Sequence, residues 1–395
     1  MDINLGRKDQ GSTPLWRDER FLRILGQFVF LVLLFAILGF LANNMLTNLR
    51  RQGIGLGFDF LRLTSGFDIG EQLIPYDRTD TYLRSFLVGL VNTAWVSLLG
   101  IFFATVLGVL FGIARLSTNF LIQRFARAYI EFNRNIPLLV LLIFLYTGIF
   151  IKLPRVREAL TLPGPILLSN RGFAIPWGLP AETFPAYGRI LLIGLLLAAI
   201  VWILLAWHGR RTGRAPLIPL WSFLTFLVVA ILGWIVLPTS PLVLDLPVVE
   251  GLRVAGGRQF SPEFMALLTG LVIYTSAFIA DVVRAGIMSV SRGQVEASRS
   301  LGLSGYQTMR LIIFPLALRV IVPPLTSQYL NLTKNSSLAV AIGFPDLFFV
   351  AGNVLNQSGR AVEVIALVMA TYLTVSLLTS AFMNWYNHRV RLVER

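Results

Sequence analysis
Four ionisable side chains, Asp281, Arg284, Arg319 and Lys334, stand inside long stretches that are otherwise almost free of charge. An ionisable group at membrane depth is a functional candidate by default, because holding it there costs free energy. Around Lys334 lie Asn331, Asn335 and Ser336, a cation with amide and hydroxyl neighbours suited to an anionic group. Asp281 is the complementary anion, and Thr275 and Ser276 supply weaker hydroxyl candidates on the same stretch. Structural readings stand beside these. Asp281 and Arg284 have the i,i+3 spacing of a helix pair, with Arg284 reaching for the interface, and Lys334 could be satisfied by carbonyls of a proline-broken helix. Trp95 and Tyr146 read as packing. No constellation for covalent chemistry is present. The chain has no cysteine, and its two histidines, His208 and His388, sit apart beside arginines at the edges of apolar blocks, where a metal is not expected. It has no G-x-x-x-x-G-K-[ST] loop, so it lacks the usual means of holding ATP.

The elements that must position these groups are membrane helices. Only 14% of the 395 residues are charged and 55% are hydrophobic, where a soluble domain carries about 25% charged residues. The stretch 86–114 runs to Arg115 without a charge, and about 20 apolar residues span a bilayer. Eight spans are predicted, at 22–42, 86–114, 136–151, 190–207, 217–237, 264–287, 311–341 and 361–387. The third follows an amphipathic stretch, 120–132, and the two are expected to form one long helix. The seventh is interrupted by Pro315, Pro323 and Pro324. The first block is too long for a signal-peptide core and lacks a cleavage pattern, so it reads as a retained helix. No repeat or soluble domain is apparent. The long outer loops 43–85, with Gly53, Gly55, Gly57 and Pro75, and 152–188 read as solvated connectors with room to touch an external partner.

With both termini inside, the inner segments hold 17 Lys/Arg in 81 residues and the outer ones 12 in 124. That roughly twofold bias follows the positive-inside rule. It also accounts for the net charge of +14 without nucleic acid. The segments 208–214 (HGRRTGR) and 389–391 (RVR) are the clearest inner flanks.

One inner segment is unlike a plain connector: 291–316, SRGQVEASRSLGLSGYQTMRLIIFPL. Ser291 with Gln294, and Ser304 with Gln307, fit two capping boxes. Gly302 falls where the first short helix must end, as a left-handed residue, and Pro315 is expected to limit the second. Two capped helices joined at Gly302 make a rigid knob suited to mechanical docking.

The spacing Glu296-Ala297-Ser298, then Leu301-Gly302, then Phe314-Pro315 resembles the coupling-helix signature of ABC importer permeases, E-A-A, then G, then L-P. Ser298 replaces Ala and Phe314 replaces the common Leu. The segments 279–294 (with Asp281 where Glu is usual), 129–137 (YIEFNRNIP) and 334–338 (KNSSL) resemble polar amino-acid permeases. The extra first span and two inserted spans look most like the Q-type membrane subunit of general L-amino-acid permeases.

The resemblance implies an all-α type I ABC importer permease core, non-catalytic, in a bacterial cytoplasmic (inner) membrane. Core helices would lie at 86–151 and 264–388, after an N-terminal region 1–85 and around an insertion 152–263, with coupling helices 291–315 and a tail 389–395. It implies docking on an ATPase dimer through Glu296, Ala297, Ser298, Leu301, Gly302 and Pro315, with ATP and Mg bound by that partner and no cofactor in this chain. It also implies a second, M-type permease, an external amino-acid-binding protein, and alternating access. An amino acid would meet Lys334, Asn331 and Asn335 through its carboxylate and Asp281 through its ammonium. An ion-driven secondary transporter would instead favour acids within spans and broken helices paired across repeats. A membrane scaffold would need no knob.

Overall fold
A computed structural model of the protein describes residues 19–51, 57–212 and 217–390. The N-terminal tail through residue 18, Gly53 and Gly55, Arg214 and the last five residues, named in the sequence readings above, lie outside the described residues.

The spans are helical as expected, and most are longer than hydropathy alone suggests. They are α1 (Glu19–Arg51), α2 (Tyr82–Ala114), α5 (Phe184–Thr212), α6 (Ile218–Val236), α7 (Pro262–Met288) and α12 (Ala361–Val390), with a further one through 305–342. Polar turns extend the apolar blocks because caps hold them: Thr81 accepts from the Arg84 amide at α2, and Ser261 from the Phe264 amide at α7.

Two expectations fail. The stretch 120–151 is not one long helix. It is α3 (Phe120–Asn135) and α4 (Leu138–Phe144), the latter continuing through a π turn and a 3-10 turn to Lys152, and the two parts meet at 102°. Pro137 excludes Ile136 from helical backbone, so the chain turns there. The second failure runs the other way. Pro315, Pro323 and Pro324 do not interrupt the seventh span. Pro315 follows directly on a π turn, Met309–Ile313, where the hydrogen-bond ladder shifts register, and the other two are absorbed within α10 (Phe314–Asn335).

The centre of the molecule is the pair α2 and α7. Gly108 and Gly112, one helical turn apart, allow their close approach: a Cβ at Gly108 would stand 2.6 Å from the Ile279 side chain, and one at Gly112 would stand 2.8 Å from the Ala280 carbonyl. Lipid is as apolar as leucine, so contact between spans comes from such close packing. Leu142, Leu267, Leu271, Ile279, Ala317 and Leu332 complete this core. A second cluster joins Phe60, Tyr82 and Val88 to Val350 and Val354 of α11 (Leu347–Ser358), a short helix in a segment expected to be a loop.

The insertion 152–263 also contains strands that the sequence reading missed. β1 (Leu160–Leu162), β2 (Ile166–Ser169), β3 (Gly172–Ile175) and β8 (Arg258–Phe260) form an antiparallel sheet in the order β1-β2-β3-β8. β4 (Trp177–Pro180) pairs with β5 (Leu242–Asp245), and β6 (Val248–Glu250) with β7 (Arg253–Ala255). The β3–β8 and β4–β5 pairs clasp the base of the inserted hairpin α5–α6, joining its two ends before α7 begins. Strands this short carry too little alternation to be read as such.

Candidate functional site
The knob consists of α8 (Arg292–Ser300) and α9 (Gly305–Thr308). It is fixed by three local devices. Gly302 is left-handed, with φ +78°. Its amide donates to the Arg299 carbonyl at 2.9 Å and the Leu303 amide to the Ser298 carbonyl at 3.2 Å, the pair of hydrogen bonds that closes a helix at such a glycine. Nothing lies within 4 Å of a Cβ there, so backbone conformation alone requires glycine. Ser304 and Gln307 form the expected capping box, bonded in both directions. Ser291 occupies the other cap with extended backbone, but its side chain makes no cap bond.

The third device is Ser298, one of the two departures from the coupling signature. Ser298 is 2% exposed. Its hydroxyl donates to the Val295 carbonyl at 2.7 Å and stands 3.1 Å from the Thr308 hydroxyl, tying α8 to α9. Glu296, Ala297, Leu301 and Gly302 are exposed; Leu301 at 81% and Tyr306 at 72% crown the knob with apolar surface. Pro315 does not stop α9. A π turn, Met309–Ile313, carries α9 directly into α10, so the knob is the end of a membrane helix and moves with it. Behind it a groove of about 350 Å³ is lined by Gln294, Ala297, Leu301, Pro315 and Arg319. Arg319 places Nε and one terminal nitrogen out of solvent with no hydrogen-bond partner.

The charged candidates do not converge. Asp281 pairs with neither Arg284 nor Lys334; its carboxylate accepts from Arg115 at 2.8 Å and from Arg134. Arg115 caps the end of α2 and Arg134 ends α3, so one carboxylate joins three elements. Tyr129 adds to this joint, stacking on Phe111 with centroids 3.9 Å apart and sharing a 2.8 Å hydrogen bond with Ser276. Those partners are far apart in sequence, and nothing local announces them.

Asp281 lies seven residues before the knob end of α7, whereas Lys334 lies at the far end of α10. At 1.5 Å per residue, α10 carries Lys334 about 30 Å from Phe314, so the two groups stand at opposite ends of the bundle. Lys334 and Asn331 are exposed and Asn335 is half-buried. The Lys334 ammonium has no hydrogen bond or ion pair among the described residues, which removes the reading of a lysine satisfied by helix carbonyls. It borders a cleft of about 550 Å³ with Ser337, Phe348, Met369, Tyr372 and Leu373. Ser336 is buried and donates to the Thr333 carbonyl at 2.8 Å, and Thr275 is buried too, so neither faces this cleft.

The family described as "Binding-protein-dependent transport system inner membrane component" matches residues 100–392. A relative from Rhizobium johnstonii, the general L-amino acid transport system permease protein AapQ, is 44% identical over 96% of this chain and 94% of its own length. The putative amino-acid ABC transporter permease protein YhdX of Escherichia coli is 44% identical over 93% and 94%. BztB of Rhodobacter capsulatus, a glutamate/glutamine/aspartate/asparagine transport system permease protein, is 40% identical over 96% of each. Among solved structures, an amino acid ABC transporter crystallised with histidines aligns with a TM-score of 0.47 at 21% identity, covering 78% of this chain and 95% of that one. The membrane helices, a family match over nearly three quarters of its length and relatives similar over nearly all of it agree: the chain belongs to the binding-protein-dependent transport system inner membrane components, as a multi-pass, non-catalytic permease subunit of an ABC transporter.

Proposed function
We propose that this chain forms one half of the translocation path of a type I ABC importer that carries amino acids, of broad range and polar, into the cytoplasm by alternating access. The observation that carries the reading is the α8–α9 knob: locked by Gly302 and the Ser298–Thr308 contact, apolar at its crown, and continuous with a membrane helix. A lever of this kind transmits motion without dissipating it in a hinge. The force would come from an ATPase dimer holding ATP and Mg, with Glu296 and the crown of the knob in its groove. The substrate class rests on the amino-acid permeases that are similar over nearly the whole chain.

Under this reading both termini are cytoplasmic, an external binding protein delivers substrate, and a second related permease completes a heterodimer. Lys334, which has no ion pair among the described residues, would meet a substrate carboxylate together with Asn331 and Asn335 in the same turn. The ammonium would require groups other than Asp281, which is held by two arginines at the other end of the bundle.

The test is uptake of radiolabelled amino acids into cells expressing Gly302→Pro or Glu296→Lys, with membrane abundance measured in parallel. Both variants are expected in the membrane at normal level, with coupled uptake abolished. Normal uptake by a well-expressed Gly302→Pro variant would end the docking reading. Affinity purification with mass spectrometry addresses partnership: a P-loop ATPase and a related permease are expected, and recovery of this chain with the ATPase alone would favour a homodimer.

A further inference from the structure
On the knob side of the membrane, where α2 ends and α3 crosses α7, a cleft of about 260 Å³ is lined by Arg115, Phe120, Gln123, Arg124, Arg127 and Arg284. Charge there is far from balanced. Five arginines (115, 124, 127, 134 and 284) face two carboxylates, Glu131 and Asp281, a surplus of three positive charges. The carboxylates are already taken: Glu131 accepts from Arg127 at 2.7 Å and lies 3.9 Å from Arg115, and Asp281 holds Arg115 and Arg134. Arg124 rests over the Phe120 ring at 5.3 Å, and Arg284 has no hydrogen bond or ion pair among the described residues. Two guanidiniums therefore remain with donors to offer.

The rim of the cleft shows what surrounds it. The 102° turn between α3 and α4 lays α3 across the direction of the spans. It buries Ala126 and Ile130 and leaves Phe120, Leu121 and Phe125 between 65% and 74% exposed. A strongly amphipathic helix with arginines beside an exposed aromatic face lies in the interface between headgroups and acyl chains. The cleft opens at that depth and shares no residue with the docking knob.

We propose that this cleft binds the phosphate of an anionic phospholipid headgroup, with Arg124 and Arg284 as its principal donors. Arginine forks match a phosphodiester, and basic pockets between spans suit such headgroups. The lipid would offset part of the surplus charge that the two carboxylates leave, its acyl chains covering Phe120 and Phe125. This reading does not depend on the substrate or on the coupling role of the knob.

Native mass spectrometry of the full chain in detergent, titrated with phosphatidylglycerol or phosphatidylcholine, tests it. Removing two partly solvent-exposed ionic contacts should lower phosphatidylglycerol retention about tenfold in Arg124→Gln/Arg284→Gln and about threefold in Arg124→Gln alone, with phosphatidylcholine retention unchanged. The single variant keeps the Asp281 joint intact and serves if the double variant does not fold. Arg210→Gln, at the end of α5 and outside the cleft, should retain phosphatidylglycerol like the wild type. Equal retention by wild type and both cleft variants would overturn the proposal. So would displacement of the lipid by millimolar inorganic phosphate, which would make the cleft a free-anion site, or its loss on adding the ATPase subunits, which would make it a protein contact.

Discussion
Asp281 and Lys334 were singled out by one argument, that an ionisable group inside a span is there for a purpose, and the structure separates them. Asp281 is saturated: two arginines from two other elements close on its carboxylate, and it joins the ends of α2, α3 and α7. Lys334 has a cleft in front of it, and its ammonium has no hydrogen bond or ion pair among the described residues. The difference teaches that depth in a membrane marks a residue as consequential without saying whether the consequence is architecture or traffic. What decides is whether the chain itself supplies the counter-charge.

The sharpest way to break this contrast is to remove the charge from each. Asp281→Asn leaves Arg134 without a carboxylate partner and Arg115 with only Glu131 at 3.9 Å, and should cost about 2 kcal/mol, below the range for a fully buried pair because the joint is partly exposed. It should show as a large fall in the thermal midpoint of the purified protein and in membrane abundance. Unchanged stability would mean that the joint is ornamental. Lys334→Ala should do the reverse: abundance and thermal midpoint within about 0.5 kcal/mol of wild type, with amino-acid uptake lowered while the complex still assembles. Unchanged uptake kinetics would remove Lys334 from the path.

Ser298 tests the same principle at smaller scale, because its hydroxyl is satisfied within the chain. Ser298→Ala restores the residue usual in the coupling signature and removes the tie to Thr308. A loss of about 1 kcal/mol is expected, read as faster amide exchange across α8 and α9. Unaltered exchange would show that Gly302 and the Ser304–Gln307 capping box set the knob without Ser298.

Glu71, on the segment before α2, supplies the mildest case. It accepts from the amide and hydroxyl of Ser261 at the start of α7. Burial is the leading influence and raises its carboxyl above the ordinary carboxylate range, against those hydrogen bonds. A carboxyl whose folded pKa is raised keeps its proton longer in the folded state. Stability must therefore fall as pH rises from the ordinary carboxylate range through the raised value, then level off. The thermal midpoint of wild type, relative to Glu71→Gln, should fall across that interval. A midpoint difference rising with pH would mean that the Ser261 bonds outweigh burial.

Much of the protein was legible in the residues. Uncharged blocks of bilayer length fix the spans, since lipid admits no unpaired backbone. The knob was legible because its determinants are local: Gly302 closes α8, and Ser304 with Gln307 opens α9, within a dozen residues. The resemblance of 279–338 to amino-acid permeases led to the family that the comparisons bear out. The errors came where a local rule met a distant partner or a following turn. Prolines at 315, 323 and 324 read as breaks, but the helix continues through them, with a π turn just before Pro315.

The sequence by itself determined that the chain spans a membrane, how many times to within one broken helix, and where a rigid knob must form. Those properties follow from solvation and from backbone geometry over a few residues. The tertiary structure alone decided that Arg115 and Arg134 neutralise Asp281, that Lys334 stands far from it with no ion pair among the described residues, and that short strands clasp the inserted hairpin. Each depends on groups many tens of residues apart. Electrostatic pairing and strand pairing act through space, and no local pattern records which distant group arrives.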